Sequence, residues 1–230
     1  MGDKLPNETK KCVVFDLDGT LADTSADLIA AANYCFSALG YGKILDPVED
    51  SLTAFHGGRA MLKLGFERLK LDDPTDAVNA QYPILLEAYG RKIDTHTVLY
   101  DGAMDAVEAL RKDNIAVSIC TNKPEQLAET LLQRLGVRGA FDALIGADTL
   151  PTRKPDVAPY HASVERAGGT VGRSMLIGDT VTDRDTARAA GVPIVLVGFG
   201  PSGESVNSLA PDAMLNHYRD LPSLVERMLR

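Results

Sequence analysis

The sequence predicts an α/β protein: a parallel sheet wrapped by helices, with an all-helical insertion after the first strand. Three observations predict it. A short apolar run, Cys12 to Phe15, reads as a buried strand, ends in carboxylates and gives way to helical spacing. From about residue 98 onward, strand-like runs alternate with helical stretches of roughly ten residues, the rhythm of a parallel sheet. Between these parts, over residues 23–97, the spacing stays helical and offers no convincing strand. The expected division is therefore a core of residues 1–22 and 98–230 and an insertion of residues 23–97.

Taken in order, the elements are justified as follows. After Cys12–Phe15 comes Asp16-Leu17-Asp18-Gly19-Thr20, in which Gly19 permits a sharp turn. Leu28, Ile29, Ala32, Phe36 and Leu39 then fall at helical spacing behind a candidate N-cap, Thr24 or Ser25. Gly40 to Gly42 ends that helix; further helical segments run to about Ile93, with Pro47 near a start and Pro74 and Pro83 as interruptions. From Val98 the expected succession is a helix from Ala103 to Lys112, a strand from Ile115 to Cys120 and a helix from Pro124 to Leu135. A strand from Phe141 to Ile145, a helix from Val157 to Ala167 and a strand from Ser174 to Ile177 follow. A helix from Thr182 to Ala190, a strand from Ile194 to Val197 and an amphipathic helix from Leu221 to Leu229 close the chain. Gly198 to Gly203 matches a G-x-G-x-x-G string, but Glu204 to Pro211 is too short and polar to supply the helix a dinucleotide fingerprint needs. It reads as a loop near the site.

Bulk properties exclude several classes. At 230 residues, 45% hydrophobic and 24% charged, the chain can bury one sizeable core and a smaller appendage. A net charge of -8 with no lysine- or arginine-rich block argues against nucleic acid and anionic membrane as partners. No apolar stretch reaches membrane-spanning length, and Met1 to Lys11 lacks the apolar run of a signal peptide, so the Asn7-Glu8-Thr9 sequon carries no weight. The three cysteines, Cys12, Cys35 and Cys120, have no metal-ligand spacing and suit a reducing cytoplasm.

In an open parallel sheet, ligands bind beyond the carboxyl ends of the strands. Asp16 and Asp18, spaced i and i+2 on extended backbone, aim to one side of the chain there. Carboxylates ending an apolar strand are costly unless they meet a cation or hydrogen-bond donors, and a divalent metal is the simplest partner. Other strand ends supply Thr121-Asn122-Lys123 and Gly178-Asp179-Thr180, with Asp183 one turn on, while Arg153-Lys154-Pro155-Asp156 opens another helix. Each is ordinary alone. Together they form the inventory for holding a phosphoryl group and its metal.

On Asp16-Leu17-Asp18-Gly19-Thr20, Thr121-Asn122, Lys154-Pro155 and Gly178-Asp179 with Asp183, the chain resembles the haloacid dehalogenase-like hydrolase superfamily, most closely its phosphoglycolate phosphatase branch. The resemblance runs from about residue 12 onward and implies a Rossmann-like three-layer core plus a small helical cap over residues 23–97. It implies a Mg²⁺-dependent phosphatase acting on a small phosphorylated metabolite, with 2-phosphoglycolate favoured. By the same resemblance Asp16 is the nucleophile that becomes an aspartyl-phosphate, and Asp18 the acid and base. Mg²⁺ is implied on Asp16, the Asp18 carbonyl and Asp179, with phosphate on Thr121, Asn122 and Lys154 and Asp183 in support. Dehalogenases of the superfamily lack an acid at the Asp18 position, so its presence favours phosphate esters. In the loop Phe55-His56-Gly57-Gly58-Arg59, Arg59 and, more weakly, His56 are candidates to contact the substrate. A phosphosugar mutase, a pyrophosphatase or a nucleotide phosphatase of the superfamily are the alternatives. A non-catalytic phospho-receiver domain is disfavoured, because its phosphorylated Asp follows a later strand and it lacks the insertion.

Overall fold

A computed structural model describes residues 10–230; the Asn7-Glu8-Thr9 sequon and the start of the 1–22 segment lie outside the described residues. The elements are β1 (Cys12–Phe15), β2 (Ala22–Asp23), α1 (Ser25–Ala38), α2 (Ser51–Ala54), α3 (Gly58–Arg68), α4 (Thr75–Arg91), β3 (Val98–Leu99) and α5 (Ala103–Lys112). They continue with β4 (Ala116–Cys120), α6 (Glu125–Arg134), β5 (Ala143–Ile145), α7 (Val157–Arg166) and β6 (Ser174–Gly178). The chain ends with α8 (Val181–Ala190), β7 (Ile194–Val197), β8 (Ala213–Leu215) and α9 (Leu221–Met228).

The main sheet has the order β5-β4-β1-β6-β7-β8, and every adjacent pair is parallel. Period-two alternation in β1 explains the three layers. Val13 and Phe15 pack into one apolar cluster with Leu110 of α5 and Leu224 of α9, whereas Cys12 and Val14 pack into a second with Tyr160 of α7 and Ala187 of α8. β1 is therefore buried on both faces, which its unbroken apolar run requires. All three cysteines are buried and unpaired, as small hydrophobes. Because the strands are parallel, all their carboxyl ends meet at one rim.

α1 to α4 form the helical insertion, and its two connections to the core are pinned side by side. β2 and β3 pair antiparallel, Ala22 with Leu99 and Asp23 with Val98. The buried Asp27 carboxylate on α1 accepts from the backbone N–H groups of His96 and Thr97, each at 2.9 Å, and from the Thr97 hydroxyl, also at 2.9 Å. One expectation changes here and one holds in position. Pro83 does not interrupt α4, which runs through it; Val78, Leu85, Ala88 and Tyr89 are buried on that helix, and their packing outweighs one lost backbone bond. Thr24 is the N-cap of α1 but makes no capping bond, its hydroxyl donating instead to Asp18 at 2.7 Å; the Asp23 carboxylate takes the Ser25 N–H at 3.0 Å. Among the described residues, no helix is long and apolar enough to cross a membrane.

Candidate active site

Asp16 directly follows the central strand, and its N–H still donates to Ile177 of β6 at 2.9 Å, so the backbone stays extended to the sheet edge. Its carboxyl is buried, and burial pushes it up to about 6; Asp183 and Asp18 push the same way while Lys154 opposes them. Asp179 directly follows β6 in the same depression. It accepts from the Thr20 hydroxyl at 2.9 Å, and burial, reinforced by Asp183 and Asp16, holds it well above the usual carboxylate range.

Lys154 Nζ lies 3.1 Å from Asp16 Oδ1 and 2.6 Å from Asp183 Oδ1. Burial alone would neutralise this ammonium, but the two carboxylates hold its proton more tightly than usual. Asp183 is also part of the capping box that starts α8: its Oδ2 accepts the Thr180 hydroxyl at 2.6 Å and the Thr180 N–H at 3.1 Å. Both Asp183 oxygens are thus committed, one to the helix start and one to Lys154.

The acidic floor fits a hard divalent cation. Oxygens of Asp16, Asp179 and Asp183 all lie within 4.8 Å of one another. Buried Asp16 Oδ1 accepts no hydrogen bond among the described residues, its contact with Lys154 being an ion pair without hydrogen-bond alignment. Three clustered carboxylates share the one ammonium of Lys154, and an all-oxygen set of this kind suits Mg²⁺ better than a soft metal.

Gly19 makes the cluster possible. With φ at +82°, it turns the chain between Asp18 and Thr20, and a Cβ there would intrude on the Asp179 carboxyl. Gly19→Ala is expected to destabilise the fold by about 2 kcal/mol or more and to displace Asp179. Thermal unfolding beside a metal-binding titration checks both; a variant matching the parent in each contradicts the reading.

The loop after β4 brings Thr121, Asn122 and Lys123 to the same rim. Thr121 is buried and lines the cavity, its Oγ1 accepting the Lys123 N–H at 3.2 Å. The side-chain amide of Asn122 donates to the Lys154 carbonyl at 3.0 Å, so it ties two loops together. Lys123 is the residue that sequence reasoning left without a role. Its buried Nζ donates to both Asp18 oxygens, at 2.8 and 3.0 Å, and to the Tyr89 hydroxyl on α4 at 2.8 Å. Burial would lower its proton affinity, yet Asp18 and Tyr89 raise it above the usual lysine range. The signal available in the sequence was a lysine in the short loop after a strand end, beside the other polar residues of the rim.

Above the floor opens a cavity of about 710 Å³, whose far wall includes Phe55, His56, Arg59, Tyr82 and Leu85 of the helical insertion. His56 and Arg59 are exposed there. Arg59 donates to Asn79 Oδ1 at 2.7 Å, and its guanidinium lies 4.3 Å over the Tyr82 ring. The Gly198–Gly203 loop packs against the turn after β1: a Cβ on Gly200 would sit 2.8 Å from the Gly19 carbonyl. A 3₁₀ turn over Gly203–Leu209 follows it, not the α-helix of a nucleotide site.

The arrangement places a buried carboxylate, a committed ammonium, a metal-ready acid cluster and a second acid at the floor of one cavity. Comparison with known proteins agrees with it. A profile described as Haloacid dehalogenase-like hydrolase matches residues 13–197. A curated phosphoglycolate phosphatase of Agrobacterium fabrum is 36% identical over 220 residues, covering 94% of this chain and 93% of that protein. One from Mesorhizobium japonicum is 33% identical over 225 residues, covering 96% and 98%. In fold, the chain is similar to a crystal structure described as a predicted phosphoglycolate phosphatase from Haemophilus somnus, with a TM-score of 0.79 at 20% identity, covering 95% of this chain and 99% of that one. With most of its length matched by the profile and relatives above 30% identity spanning nearly all of it, this protein belongs to the haloacid dehalogenase-like hydrolases.

Proposed function

We propose that this protein is a Mg²⁺-dependent phosphatase that hydrolyses a small phosphomonoester, 2-phosphoglycolate in the first instance, through an aspartyl-phosphate on Asp16. The observation that carries the reading is the Asp16 carboxyl at the floor of the cavity, ion-paired to Lys154 through its buried Oδ1, where Thr121 and Asp18 line the same space. Support for the substrate comes from curated relatives at 31–36% identity that bear the name phosphoglycolate phosphatase.

In the first half-reaction an Asp16 carboxylate oxygen bonds to phosphorus, the ester P–O bond breaks, and the departing oxygen takes a proton from the Asp18 carboxyl. In the second, water attacks the phosphorus, gives its proton to the Asp18 carboxylate, and the bond to Asp16 breaks to release phosphate. Lys154 opposes the negative charge on Asp16 and the phosphoryl group, and Thr121 and Asn122 hold phosphoryl oxygens. Asp16, the Asp18 carbonyl and Asp179 would hold Mg²⁺, which supplies charge neutralisation and orientation of the phosphoryl group. Asp183 keeps Lys154 in place. Residues 23–97 act as a cap whose Phe55–Arg59 segment, with His56 and Arg59, faces the leaving group and excludes water.

The test is a kcat/KM comparison across phosphorylated small acids, sugars, nucleotides and pyrophosphate with Mg²⁺ present. The expected result is release of inorganic phosphate, with 2-phosphoglycolate at least about tenfold ahead of the neutral esters. Isomerisation of a hexose phosphate without phosphate release, or no turnover of any ester, would overturn the proposal.

A further inference from the structure

We propose that Arg153 is the specificity residue for a second anionic group on the leaving half of the substrate, which in 2-phosphoglycolate is the carboxylate. This rests on the phosphatase reading above and adds to it the side chain that distinguishes an acidic leaving group from a neutral one.

The charge around the cavity motivates the inference. Although the chain carries a net charge of -8, the carboxylates lining this cavity are confined to Asp16, Asp18 and Asp179. Each of these already faces a partner: Lys154, Lys123 and the Thr20 hydroxyl respectively. Apart from those two lysines and the phenols of Tyr82 and Tyr89, the remaining ionisable lining is basic, namely His56, Arg59 and Arg153. A mouth that gathers basic groups on an acidic protein favours an anionic ligand portion.

The commitments of the cations single out one of them. Lys154 is held by Asp16 and Asp183, and Lys123 by Asp18 and Tyr89. Arg59 is bonded to Asn79 at 2.7 Å and stacked on Tyr82, so recruiting it would break both contacts. Arg153 is exposed and makes no hydrogen bond, ion pair or ring contact through its side chain among the described residues. Its backbone, by contrast, is fixed. Its carbonyl accepts the Asp156 N–H at 2.9 Å, and the carbonyl of the next residue, Lys154, accepts the Asn122 amide at 3.0 Å. An uncommitted guanidinium thus stands on an anchored base, one residue from the ammonium that faces Asp16. Its planar fork can take a carboxylate through two parallel hydrogen bonds.

Steady-state kinetics of the full chain with Mg²⁺ test this, using 2-phosphoglycolate and propyl phosphate, an ester with a neutral leaving group. Arg153→Met is expected to raise KM for 2-phosphoglycolate about 10- to 100-fold with little change in kcat, the loss on propyl phosphate being at least about tenfold smaller. Arg153→Lys should recover part of the selectivity. Equal losses of Arg153→Met on both esters, or the KM defect appearing with Arg59→Met in its place, would overturn the assignment. A wild-type enzyme that turns over both esters without preference also overturns it while leaving the phosphatase reading intact; one that turns over neither removes the phosphatase reading itself.

Discussion

Asp16→Asn is expected to abolish turnover of p-nitrophenyl phosphate, by about 10⁴-fold or more, because an amide cannot form the acyl-phosphate bond. The same change should leave the fold intact and make it more resistant to heat in metal-free buffer at neutral pH. Burial holds Asp16 near 6 instead of 3.8, so keeping it ionised there costs stability. Acid-quench trapping of a phosphoenzyme, present in the parent and missing in the variant, together with calorimetry, separates lost chemistry from lost structure. Retained turnover by a correctly folded Asp16→Asn protein would remove the nucleophile from the mechanism.

The second large effect concerns pH and the cation together. For a carboxyl raised in the folded state, the folded protein binds more protons than the unfolded chain between the two pKa values, so stability falls as pH rises through that window. For Asp16 the window runs from 3.8 to about 6, and Asp179 is displaced the same way. Ionising Asp16 therefore costs stability, and the cost is fully present above pH 6. A divalent cation binds the ionised carboxylates and reverses this. Saturating Mg²⁺, at about 100 times its Kd, is expected to raise Tm at pH 8 by about 5–10 °C, and to do far less at pH 5, where protons compete. Thermal scans with Mg²⁺ and with a chelator at the two pH values check it, and Asp179→Asn should erase the pH 8 gain. A Mg²⁺ effect equal at both pH values, or absent at both, would contradict the acid cluster as a cation site.

The elements legible in the sequence share one property: their pattern is dictated within the element itself. β1, β4, β6 and β7 are buried on both faces and so read as apolar runs, and α5, α7 and α8 carry helical spacing between turn residues. Asp16, Thr121 and Asp179 stand at ends of such strands, so their convergence at one rim follows from parallel topology alone. The two-residue strands β2 and β3 were not legible, because each exists only through its pairing with the other across the insertion. β8 is three residues long at a sheet edge and too short to show a period. Pro83 misled for a related reason: a local rule about one ring yields to helix packing that the local sequence does not display.

From its order of residues this chain determined an α/β core with a helical insertion after the first strand, and the acidic and cationic groups standing at the strand ends. Tertiary structure alone decided how those groups are partnered. Lys123 pairs with Asp18 and Tyr89, Asp183 divides its oxygens between Lys154 and the start of α8, and Arg59 is spent on Asn79 and Tyr82 while Arg153 is not. Periodicity reports which way a side chain leaves its own element. Which charge it meets depends on distances between elements far apart in the chain, and in a low-dielectric interior those few ångströms set the strength of each pairing.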